Sequence, residues 1–467
     1  MTDAAMTMDF HPQPAPGQAK PWAFPVPERG ALASGLAVLR CHRPGQQVAA
    51  VQICLDMPLD AEPDGLDGLA AIMMSALAEG TSEHTAEEFA AEMERCGATF
   101  DTAVDYPGAR VWLEVPVSRL ARALELLAEA LQAPAFPRGE IERLVRNRLD
   151  EIPLEMASPG RRAAKQLAQE LFPASARLSR PREGTEDTVA RIDEAGVRAF
   201  YQAHVRPATA TAVVVGDLTG VDLDAVLAST LGGWSGDAAK PVPIPPVVAG
   251  DTGRVVIVDR PGAVQTQLLI GRTGPDRHDR VWPALVLGTY CLGGTLTSRL
   301  DRVLREEKGY TYGIRATQRV LRSPARHAAS HATGTSVLAI SGSVDTASTG
   351  PALEDVWGVL RTLAAEGLTE AERDTAVQNL VGVAPLAYER AASVARTVAD
   401  QVEQHLADDY QAHLYARLAE TGTAEATAAA IAAFPENRLV TILVGDASQI
   451  KAPVKALGIG GVEVVTA

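Results

Sequence analysis

Residues 35–57, GLAVLRCHRPGQQVAAVQICLDM, and residues 253–275, GRVVIVDRPGAVQTQLLIGRTGP, each hold two β-rich runs around an Arg-Pro-Gly turn. Pro-Gly between such runs is a hairpin-type signal. Arg43 and Arg260 stand 217 residues apart, and other motifs repeat at nearly that offset. Gly80-Thr81 answers Gly294-Thr295, Gly97-Ala-Thr-Phe100 answers Gly309-Tyr-Thr-Tyr312, and Glu142-Arg143 answers Glu372-Arg373. The run TAVVVGD ends at Asp217 and TILVGD ends at Asp446. Short motifs that keep their order with offsets drifting only from 212 to 230 mark a duplication.

Each half therefore reads as a hairpin followed by an apolar helix (Gly68–Leu77; Pro283–Leu292) and a second helix (Ala86–Arg95; Leu296–Glu307). β-rich segments follow (Thr99–Pro116; Thr311–Val344), then helices (Val117–Leu131; Pro351–Ala365), and a Val-rich strand closes the half. Leu120, Leu124, Leu127 and Leu131 form the apolar stripe of an amphipathic helix, and Arg110–Val115 alternates as a half-buried strand does. Locally joined strands with helices gathered between them predict an α+β fold of two homologous domains, each an antiparallel sheet packed with helices. The predicted boundaries are an extended Pro-rich segment over 1–25, a first domain over 26–235, a linker over 236–253 and a second domain over 254–467. The linker, GDAAKPVPIPPVVAGDTG, has four prolines and no helical period.

At 467 residues the chain is too long for one ordinary core, and its 46% hydrophobic and 22% charged content is that of a globular protein. A formal charge of −15 argues against nucleic acid or an anionic membrane as partner. No stretch approaches the roughly 18 apolar residues of a membrane span, and no signal peptide is evident in the first thirty residues. Cys41, Cys54, Cys96 and Cys291 are scattered without a Cys-x-x-Cys pair. They read as reduced thiols, and the expectation is a soluble cytoplasmic protein.

A duplicated α+β chain of this size with GLAAIMMSALAEGT over 68–81 resembles the insulinase/pitrilysin metallopeptidases, over about residues 25 to 450. In that family the corresponding helix carries His-x-x-Glu-His, two zinc ligands one helical turn apart with a general base between. The resemblance places the first ligand at Ala71, the base at Met74 and the second ligand at Ser75. None of these can do that work: Ala has no donor, a thioether suits soft metals, and an unactivated Ser is a poor ligand. Glu151, 76 residues after Ser75, fits the family's third ligand, or is simply a solvated acid at a helix end beside Asp150. His327 and His331 are the one histidine pair at helical ligand spacing, but they stand in a Ser/Pro/Ala/Gly-rich run with no intervening Glu. No hydrolytic zinc site is encoded.

The second half retains LGGTLTSRLDRVLREEKGYTYGIR over 292–315, which resembles the family's C-terminal signature with an Arg and a Tyr seven residues apart, Arg305 and Tyr312. Arg offers fixed charged donors and Tyr one directed hydroxyl, the groups that hold substrate carbonyls and a developing oxyanion. Read as structure alone, Arg305 would be a helix-surface residue beside Glu306-Glu307, and Tyr312 ordinary strand packing. Gly293-Gly294 lacks the Gly-Lys-Ser/Thr of a phosphate loop. The resemblance implies half of a clamshell: a non-catalytic, substrate-binding subunit of a heterodimeric zinc peptidase. Zinc would sit on a homologous partner with intact His-x-x-Glu-His, and this chain would supply Arg305 and Tyr312 in trans. The alternative is a peptidase-like scaffold or peptide-binding subunit with no part in catalysis.

Overall fold

In the computed structural model, which describes residues 22–236, 242, 250, 252–323 and 335–466, the two Arg-Pro-Gly turns are built alike. Gly45 has φ 83° and Gly262 φ 75°, the left-handed region that glycine enters without steric penalty. Gly45 donates its N–H to Asp217 at 2.8 Å, and Gly262 donates to Asp446 at 3.1 Å. The N–H groups of Arg43 and Arg260 reach the carbonyls of Gly216 and Gly445. Both carboxyls are held down to about 2, Asp217 first by the Thr219 hydroxyl and Asp446 first by the Ser448 hydroxyl. In each half the closing strand is thus tied to the opening turn.

The first sheet contains β1 (Glu28–Ala31), β2 (Ala37–His42), β3 (Val48–Leu55), β4 (Thr99–Asp105), β5 (Gly108–Pro116) and β6 (Ala210–Gly216). The second contains β7 (Arg254–Asp259), β8 (Gln265–Gly274), β9 (Ile314–Arg322), β10 (Thr335–Asp345), β11 (Val440–Gly445) and β12 (Gly461–Thr466). Their spatial orders, β1-β2-β6-β3-β5-β4 and β12-β7-β11-β8-β10-β9, superpose element for element. Only the outermost strand differs in origin, coming from before the repeat in one half and after it in the other.

Two sequence expectations need correction. The runs flanking each Arg-Pro-Gly turn do not pair as a hairpin, because β6 lies between β2 and β3, and β11 between β7 and β8. The sheets are consequently mixed rather than antiparallel: β6 is parallel to β2 and antiparallel to β3, and β11 is parallel to β7 and antiparallel to β8. The physical reason is burial. Every residue of β6 and β11 is buried, and a continuous apolar strand is stable only with neighbours on both edges and cover on both faces.

That cover is exchanged between the halves. α1 (Leu69–Ala76), α2 (Ala86–Arg95), α3 (Leu120–Gln132), α4 (Arg138–Ala157) and α5 (Pro159–Leu171) follow one another in the first half, yet α5 packs on β8 and β11 of the second sheet. In return the helix Ala391–Glu403 packs on β3 and β6 of the first. Its Val394, Ala395, Val398 and Ala399 meet Leu39, Cys41, Ala50, Cys54, Val213 and Val215 in a separate core cluster. The four cysteines are buried and unbridged, and burial pushes the Cys41 and Cys291 thiols up to about 12. Among the described residues no helix is long and apolar enough to cross a membrane.

Candidate functional site

The start of α1 is fixed by a buried ionic knot. Glu62 accepts the N–H groups of Gly68 and Ala70 at 2.9 and 3.0 Å, so a carboxylate caps the positive end of the helix. Arg177 holds that carboxylate at 2.9 and 2.8 Å and donates as well to the carbonyls of Arg180, Pro181 and Arg182. Burial pushes the Glu62 carboxyl up, and Arg177 opposes it. Asp67 takes Arg180 at 2.6 Å. Gly68 and Gly184 let the strands of this knot touch: a Cβ on Gly184 would stand 2.1 Å from the Asp67 carbonyl oxygen. The loop after Arg177 is thereby held against α1, and it brings Arg182 and Glu183 beside the helix.

α1, α4, β4 and this loop enclose a cleft of about 410 Å³. The sequence-predicted positions Ala71, Met74, Ser75 and Glu151 all line it, so the structure brings the four together. They do not fit a catalytic zinc. Ala71 presents a methyl group, Met74 is fully buried in the core, and Ser75 is exposed. Glu151 lies within α4 rather than at a helix end, with its side chain 61% exposed and paired to Arg148 at 3.3 Å.

Arg148 was not singled out by sequence reasoning, and it dominates the cleft floor. Its side chain is only 9% exposed. It donates to Glu155 at 3.0 and 2.9 Å, to Glu151, and to the carbonyl of Glu183, whose carboxylate lies 3.2 Å away. Arg148 holds the Glu155 carboxyl below the usual range. A cation belonging to the chain itself therefore sits among the carboxylates at the degenerate motif. The one sequence signal, Arg148 and Glu151 three apart on one helix face, is too common on solvated helices to have marked it. Among the described residues no group of three or more His, Cys, Asp or Glu could hold a metal ion. His327 and His331 fall outside the described residues.

Arg305 and Tyr312 stand in the second half and do not line this cleft. Arg305 belongs to a π-helical segment, Arg302–Glu307, a geometry frequent at functional sites. The segment continues the short helix Arg299–Asp301, which is anchored twice. Arg299 grips Glu372 at 2.6 and 2.7 Å, and buried Asp301 accepts the Ile314 N–H at 3.1 Å and pairs with Arg315. Gly309, at φ 67°, turns the chain between them. Tyr312 precedes β9 instead of packing within it and is 94% exposed. The Arg305 side chain is 33% exposed, with Glu306 at 3.5 Å.

Two family models match the chain: "Insulinase (Peptidase family M16)" over residues 37–182 and "Peptidase M16 inactive domain" over residues 191–380. An uncharacterized zinc protease of Streptomyces coelicolor is 27% identical over 297 residues, which is 61% of this chain and 63% of that protein. One of Mycobacterium leprae is 25% identical over 294 residues, 61% of this chain and 64% of its own length. The matched region thus spans less than two thirds of these relatives. Among solved structures, a peptidase M16 inactive domain from Pseudomonas fluorescens superposes with a TM-score of 0.80 at 21% identity, covering 90% of this chain and 98% of that one. A protease from Helicobacter pylori gives 0.80 at 18% identity over 90% and 100%. These two show a shared fold.

Proposed function

The chain belongs to the insulinase family of peptidases, M16, and on that premise we propose that it is a peptide-binding subunit that performs no hydrolysis alone. The observation that carries this is the cleft at the degenerate motif. The helix that bears the motif is capped and opens on a cleft beside β4, while Arg148 and its glutamates occupy the ground next to the motif positions Ala71, Met74 and Ser75. β4 is the outer strand of its sheet, and a free strand edge receives an extended peptide through main-chain hydrogen bonds.

Catalysis in this reading belongs to a pair. A homologous partner carrying intact His-x-x-Glu-His holds the zinc, and this chain contributes Arg305 and Tyr312. Their separation from the chain's own cleft and the exposure of Tyr312 support a role toward a second chain. Arg305 supplies charged donors and Tyr312 a hydroxyl to the substrate carbonyl on which charge develops. The test is steady-state kinetics of the reconstituted pair. Arg305→Ala should lower kcat and kcat/KM together by about 100-fold, and Tyr312→Phe by less, with complex formation and zinc content unchanged. Arg302→Ala is the control and should change little.

One observation favours a second reading, a scaffold without catalytic duty: Glu306 already faces the Arg305 guanidinium at 3.5 Å. Wild-type turnover by both pair variants would establish that reading instead.

A further inference from the structure

A second cleft, of about 350 Å³, opens between the first sheet and the exchanged helix Ala391–Glu403. It shares Ala103, Val104 and Arg182 with the cleft at the degenerate motif, so the two are neighbours along β4. The strand register sets Gln52, Trp112 and Asp101 side by side on β3, β5 and β4.

Almost all charge in this second cleft is already matched. Arg110 donates to Glu403 at 2.8 Å and to Asp400 at 2.7 Å. Asp105 takes Arg319 at 2.8 Å and Arg182 at 3.4 Å, and Glu114 takes Arg390 at 3.3 Å. Two polar groups are left over. Gln52 is only 6% exposed, and its Oε1 is buried with no hydrogen-bond partner. Arg396, on the helix side, makes no hydrogen bond or ion pair among the described residues. A buried amide oxygen without a donor destabilises the fold, and a ligand that supplies the donor removes that penalty.

We propose that this cleft is a carboxylate subsite for the peptide that the chain binds. A peptide carboxylate pairs with Arg396, a neighbouring peptide N–H donates to the Gln52 amide oxygen, and the flat face of Trp112 packs against the intervening chain. The carboxylate comes from an acidic side chain or from a free C-terminus. The subsite rests on the peptide-binding reading above and adds to it a preference for acidic or C-terminal segments.

Fluorescence anisotropy of the full chain with three labelled peptides of otherwise identical sequence tests this. One has an internal Glu and an amidated C-terminus, one an internal Gln and a free C-terminus, and one an internal Gln and an amidated C-terminus. One carboxylate peptide should bind about tenfold or more tighter than the neutral peptide, the size of a single charge-assisted hydrogen bond. Which one does so identifies the source. Arg396→Gln, at an exposed position, should abolish the advantage, and Gln52→Leu should reduce binding of the preferred peptide while leaving the fold intact by thermal melt. Equal binding of all three peptides, or an advantage that survives Arg396→Gln, overturns the subsite and leaves peptide binding standing. If no peptide binds, the subsite and the peptide-binding reading fall together.

Discussion

Arg148 shows how a single side chain can settle the character of a site. Its guanidinium draws Glu151, Glu155 and Glu183 together, so the carboxylate that the family resemblance offers as a ligand is spent on an internal ion pair. Removing one partner of a buried pair leaves uncompensated charge behind and typically costs about 3–5 kcal/mol. Arg148→Met should therefore lower unfolding stability by about 3 kcal/mol in denaturant titration. Glu151→Ala, at an exposed carboxylate, should cost about 0–1 kcal/mol. Similar losses for both would mean that Arg148 is not the organising residue. The unsuitability of Ala71, Met74 and Ser75 as zinc ligands or base was legible in the sequence, because an absent, soft or weak donor is a property of the residue type and needs no coordinates. Arg148 was not, because an Arg three residues before a Glu is commonplace on any solvated helix, and only the fold shows it to be buried.

Among the elements, those with local determinants were legible. α2 runs over Ala86–Arg95 as expected because Thr85 and Glu88 form a reciprocal cap, a signal four residues long. The insertion of β6 between β2 and β3 was not legible, since the partners of a parallel strand lie far away in sequence and the Pro-Gly turn looks the same either way. The segment bearing Arg305 depends on another such distant tie, Arg299 to Glu372, the latter also within the Thr369 cap. Burial works against ionisation of Glu372, but Arg299 and Thr369 prevail and hold its carboxyl at about 2. An unfolded glutamate titrates near 4.3, so the folded value is depressed. Its contribution to stability is complete above the unfolded value and is lost as pH falls toward about 2. Melting temperature should accordingly drop between about pH 5 and 2, and Glu372→Gln should flatten that slope while lowering the melting temperature at neutral pH. Parallel slopes for the two proteins would remove Glu372 from the account.

At the scale of the molecule, the duplicated halves are not independent bodies. α5 covers the second sheet, Ala391–Glu403 covers the first, and cross-pairs such as Arg322 with Asp60 and Arg110 with Glu403 are buried between them. A protease site engineered into residues 236–253 should thus yield two fragments that co-elute in gel filtration and separate only in denaturant. Fragments that part under native conditions would contradict the exchange of helices. The same exchange builds the second cleft, because one of its walls is the helix lent by the other half. The central claim, a peptide-binding M16 chain that holds no hydrolytic zinc, is tested most directly by titrating labelled peptide into the purified chain, with zinc content and peptide integrity followed in the same samples. Saturable binding of intact peptide, unchanged by chelator and without stoichiometric zinc, is the predicted result; one zinc per chain with chelator-sensitive cleavage would contradict it.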